Sequence, residues 1–81
     1  MTTHATFIDN LGGATKLADR LSAVHADGPF DYEERKRLRD RIYRWKVEDT
    51  IPHRWRPWVR RVAREDGISV PEDLQDPAEA A

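Results

Sequence analysis

Twelve of the fourteen Lys and Arg residues in this 81-residue chain fall within residues 32–64: Arg35, Lys36, Arg37, Arg39, Arg41, Arg44, Lys46, Arg54, Arg56, Arg60, Arg61 and Arg64. Five carboxylates share that stretch, and six more, with no cation among them, follow Arg64. The formal net charge of −1 therefore conceals a basic middle and an acidic end. Guanidinium groups at helical spacing suit one kind of chemistry well. Each can donate paired N–H bonds to a phosphate or to guanine O6 and N7. A basic, aromatic-containing helical surface is the electrostatic signature of nucleic-acid binding. Eleven of the cations are Arg, and a solvated charge-rich helix or an Arg-favouring base composition would produce the same count.

Other chemistries have little to stand on. His4, His25 and His53 follow no common ligand spacing and no Cys accompanies them, so no metal is expected. Ser22 and Ser69 sit near no plausible base, and the carboxylates are scattered. No enzyme, cofactor or small-molecule substrate is expected. Gly12-Gly13 lacks the flanking pattern of a phosphate loop. Trp45, Trp55 and Trp58 could stack unpaired bases, but their registry with Ile42 and Val59 assigns them to a core.

The elements that must position these groups are helical, because apolar residues recur at helical spacing and never at period two. Phe7, Ile8 and Leu11 make a short first helix ended by Gly12-Gly13. Ala14, Leu17, Ala18 and Leu21 define a second of about two turns. Ser22 to Asp31 reads as a loop around Gly28-Pro29. Asp31 caps a third helix that runs to about Lys46 or Val47, with Leu38, Ile42 and Trp45 inward. A fourth starts near Ile51-Pro52 and buries Trp55, Trp58, Val59, Val62 and Ala63. Pro57 should kink it or delay its regular start, and Gly67 closes it. Ile68 and Val70 fold back on the core, and Pro71 to Leu74 adds one last turn. The expected organisation is one domain, 1–74, with an acidic disordered tail, 75–81. Without an apolar run of membrane length or a signal-peptide pattern, the expectation is a soluble cytoplasmic chain, associated with the nucleoid if it binds DNA.

LGGATKLADRL at 11–21, IYRWK at 42–46, Ile51-Pro52, a Trp-containing helix and Gly67-Ile68 resemble, in order, the Cro-type phage and prophage repressors. The short YdaS-like helix-turn-helix proteins of bacteria are the nearest form. The resemblance covers roughly residues 7–74. It implies an all-α, four- to five-helix lambda-repressor-like domain whose third helix lies in the major groove. One departure is large. Leu21 and Ile42 stand twenty-one positions apart, where the family has a tight turn. The expectation is therefore an extended recognition helix, about 32–47, reached by a loop.

With Leu38, Ile42 and Trp45 inward, Lys36, Arg37, Asp40, Tyr43, Arg44 and Val47 point outward, and Arg39 and Arg41 lie at the flanks. The resemblance maps base contacts onto Arg39, Asp40, Tyr43 and Arg44. Asp40 could accept from cytosine N4 or instead hold Arg37 or Arg44 in an ion pair. Arg35, Lys36, Arg37 and Lys46 are phosphate candidates, as are Arg54 and Arg56 near the fourth helix start. Thr15 and Lys16 join them at the N-terminus of the second helix. Arg60, Arg61 and Arg64 should be solvated or paired. The implied function is a sequence-specific duplex-DNA-binding regulator, a Cro-like repressor acting as a homodimer away from membranes. The alternative is a protein-interaction module on the same fold without DNA readout.

Overall fold

Gly12 and Gly13 adopt φ of 104° and 87°, backbone that side chains with a Cβ resist, and this pair divides the first two helices. The computed structural model describes residues 3–75. Helix α1 spans Thr3–Asn10 and α2 spans Gly13–Val24. Helix α3 spans Tyr32–Glu48 and is about 25 Å long. A 3-10 turn, His53–Trp55, leads into α4, Arg56–Glu65, and a second 3-10 turn covers Glu72–Leu74. No strand occurs among the described residues, whose fold is all-helical.

The helix ends follow from local chemistry. The Asp31 carboxylate accepts from the Glu34 N–H at 2.8 Å and caps α3, with Glu33 and Glu34 in its first turn. At the other end Asp49 takes φ 53°. Its N–H donates to the Lys46 carbonyl and that of Thr50 to the Trp45 carbonyl, a Schellman closure. Gly67 closes α4 the same way, through Gly67 N–H to Arg64 and Ile68 N–H to Ala63. Pro57 lies in the first turn of α4, where no helical N–H is needed. It thus delays the regular start, as one of the two expected outcomes required.

One core collects residues from every element. Phe7, Ile8 and Leu11 meet Leu17, Ala18 and Leu21, then Ile42, Trp45, Ile51, Trp55, Val59, Val62 and Leu74. Fully burying each large aliphatic contributes about 1.5–3 kcal/mol. Helix α3 packs on α1 and α2, and α4 packs on α2. Two expectations need correction. Trp58 is only half-buried, packed on the outside of the core with its ring 4.8 Å from that of His25. Helix α2 also runs to Val24, about three turns, because Ser22 is buried and engaged rather than opening the loop. The assignment of a disordered tail lies outside the described residues beyond Gln75.

Polar contacts hold the ends of this small core. Buried His4 accepts the Ile51 N–H on Nδ1 at 2.9 Å. Its Nε2 therefore carries the proton and donates to Asp73 at 2.6 Å. The Asp49 carboxylate accepts the Ala5 N–H at 3.0 Å, so the end of α3 caps the start of α1. The loop between α2 and α3 is packed just as closely. Ser22 Oγ accepts from the Phe30 N–H at 2.8 Å, and a Cβ on Gly28 would lie 2.1 Å from the Ser22 carbonyl oxygen.

Gly28→Ala should therefore destabilise the fold by about 1–3 kcal/mol in urea unfolding, the range for overpacking. An unchanged midpoint would mean that the loop does not dock on α2. His4→Ala should cost about 1–3 kcal/mol by stranding the Ile51 N–H. Asp73→Asn should cost less, since the Asp73 side chain is 58% exposed.

Candidate nucleic-acid interface

Only three of the seventeen residues of α3 are buried: Leu38, Ile42 and Trp45. That narrow seam sets the direction of every other side chain on the helix. Lys36, Arg37, Asp40, Tyr43, Arg44 and Val47 are all exposed, as their angular positions require. Val47 is 86% exposed and Tyr43 50%, so the outer face carries an apolar pair one turn apart amid its charges.

The two flanks differ in their electrostatics. On the side facing α1 and α2, Arg35 pairs with Asp19 at 3.7 Å and donates to the Phe30 carbonyl. Lys46 pairs with Asp9 at 2.6 Å. Arg39, also half-buried here, reaches Asp40 at 3.4 Å, while its buried Nε has no partner. Asp40 thus meets its immediate neighbour, in place of the Arg37 or Arg44 contact that helical spacing suggested. Two of the base-contact candidates, Arg39 and Asp40, engage each other at the edge of the face. The other two, Tyr43 and Arg44, stand clear.

The cations of the outer face and the opposite flank are not paired. Lys36, Arg37, Arg41 and Arg44 make no side-chain ion pair or hydrogen bond among the described residues, and neither does Arg54 in the adjoining 3-10 turn. Arg56, by contrast, is structural, its Nε–H donating to the Ile51 carbonyl at 2.8 Å. On α4, Arg60 donates to the Leu74 carbonyl and Arg61 reaches Glu65. Arg20 of α2 clamps α4 through Asp66 and Glu65, and the hydrogen bond to Asp66 holds its pKa above the ordinary value. Thr15 and Lys16 are exposed on the first turn of α2, whose N-cap, Gly12, supplies no side-chain bond.

Arg37 and Arg41 also border a cleft of about 430 Å³ between α3, the loop after α2, and the 3-10 turn bearing Arg54 and Trp55. Residue spacing along α3 could place Arg41 at a flank. It could not show that a distant turn brings Arg54 beside it, and Arg41 was no site candidate. Nor could sequence assign His25, whose ring lies 4.9 Å from Trp55, 4.8 Å from Trp58 and 5.4 Å from Phe30.

Comparison of the chain with protein-family models, curated proteins and solved structures finds no match.

The division into anchored and unengaged arginines has a direct check. Arg44→Gln should leave stability within about 0.5 kcal/mol of the parent. Arg56→Gln should cost about 1 kcal/mol by losing its bond to the Ile51 carbonyl. Equal losses in chemical denaturation would contradict the partition.

Proposed function

We propose that the chain binds duplex DNA as a small regulator of the lambda-repressor-like, Cro-like type, with α3 laid in the major groove. The observation that carries this reading is the asymmetric neutralisation of α3. Carboxylates of α1 and α2 occupy the cations of one flank, whereas Lys36, Arg37, Arg41, Arg44 and Arg54 remain unengaged on the outer face and the other flank. A lone helix fits the roughly 12 Å major groove. Tyr43 and Arg44 read base edges, Arg44 by paired donation to guanine. Val47 suits contact with a thymine methyl. Lys36, Arg37, Arg41 and Arg54 hold phosphates and set the register.

A single recognition helix reads few base pairs, so the regulator acts as a homodimer on a two-fold site. The exposed Tyr43–Val47 pair favours one rival, a module that docks another protein through the same face.

Fluorescence anisotropy with labelled random duplex tests the reading. Four phosphate-directed cations predict a slope of log K against log salt of about −3.6, and affinity should fall roughly 150-fold between 50 and 200 mM salt. Asp19→Asn, which releases Arg35, should tighten binding and steepen that slope by about 1. On a selected cognate site, Arg44→Gln should cost about 1–3 kcal/mol, with less loss on random DNA. No binding at low salt would favour the protein-docking module instead.

A further inference from the structure

The cleft beside α3 combines three kinds of wall. Arg37 and Arg41, one turn apart on α3, meet Arg54 across it. Phe30, Leu38 and Trp55 supply an apolar surface. Asp27 and Glu34 also border it, yet neither forms an ion pair with any of the three arginines within 4 Å. Like charges at i and i+4 destabilise a helix by some tenths of a kcal/mol. Bringing a third guanidinium from another segment adds to that repulsion. Asp27 and Glu34 reduce it without reaching ion-pair distance, and three guanidiniums against two carboxylates leave the lining at a formal +1, suited to an anion supplied from outside.

The dimensions and chemistry narrow the ligand. A volume of about 430 Å³ falls in the ~300–1,000 Å³ range of pockets that hold organic molecules, and well above what an inorganic anion needs. Three guanidiniums match a phosphate, which accepts several forked N–H bonds at once. The apolar wall matches a flat ring. Asp27 and Glu34 can accept N–H bonds from amino groups on that ring. We propose that this cleft binds a small ligand of the nucleoside monophosphate class, its phosphate held by Arg37, Arg41 and Arg54 and its base against Phe30, Leu38 and Trp55.

Binding of the nucleotide needs no assumption about DNA. One consequence does rest on the DNA-binding reading. Arg37, Arg41 and Arg54 serve both surfaces, so an occupied cleft withdraws three cations from the phosphate-directed set and weakens the grip on duplex.

Isothermal titration of the full chain, without DNA, tests the site on its own. The probes are the four ribonucleoside 5′-monophosphates, the matching nucleosides and inorganic phosphate. At least one monophosphate should bind saturably at one per chain, at least tenfold more tightly than its nucleoside or inorganic phosphate. Arg54→Gln and Arg41→Gln should each weaken it at least fivefold while circular dichroism stays unchanged. Arg61→Gln removes the same charge from α4 and should leave it intact. Saturable binding by none of the monophosphates at millimolar concentration overturns the proposal. So does equal binding of phosphate alone, or equal weakening by Arg61→Gln. If nucleotide binds but random duplex does not at low salt, the cleft stands and the DNA reading falls; the converse result removes the cleft alone.

Discussion

Everything on the surface of this molecule depends on how little of α3 is buried. Leu38, Ile42 and Trp45 form a seam one side chain wide, and fourteen further residues of that helix are left wholly or partly in solvent. Burial that narrow fixes rotation but offers modest anchorage. The chain adds anchorage at the helix ends. Asp31 caps the start, the Asp49 closure ends it, and the same Asp49 carboxylate caps α1. His4 then ties α1 both to Ile51, just past that closure, and to Asp73 in the last turn. A short chain with no Cys has few other means of joining its two ends to its longest helix.

The same seam explains why the cations are not equivalent. A helix docked along one edge presents two flanks, and each flank meets different neighbours. The α1–α2 side offers Asp9 and Asp19, which reach Lys46 and Arg35. The other side meets a loop and a 3-10 turn that bring Arg54. Half-exposed pairs such as these contribute little to stability, about 0–1 kcal/mol each. Their larger effect is on the field: they quench one flank and leave the positive potential concentrated on the other and on the outer face.

That concentration is also a source of strain. Arg37, Arg41 and Arg54 stand around one cleft without carboxylate partners, although Asp27 and Glu34 are close by. Sequence favours such an arrangement poorly, since like-charge neighbours along a helix raise its energy. A loop held by Ser22 and Gly28 against the end of α2 forms the far wall, so the cleft is built by packed backbone. The proposed DNA surface and the proposed nucleotide site therefore share guanidiniums through geometry that the loop imposes.

Much of the architecture was legible in residue order, because it rests on local rules. Helical periodicity gave the elements, Gly12-Gly13 and Gly67 marked breaks through their positive φ, and Asp31 announced the start of α3. The outward direction of Tyr43, Arg44 and Val47 followed from the 100° step alone. Arg35 and Lys46 looked equivalent to Lys36 and Arg37 in sequence, because nothing local reveals that Asp9 and Asp19 will arrive from other helices. Ser22 read as the start of a loop, whereas its hydroxyl extends α2 by holding Phe30. By itself, then, the sequence determined the helices, their caps and the inward edge of α3, since these depend on residues within a few positions of one another. Which cations stay unengaged, and that three of them border one cleft, was decided only by tertiary packing, because an ion pair or a cavity wall is a relation between segments whose separation in the chain carries no record of their distance in space.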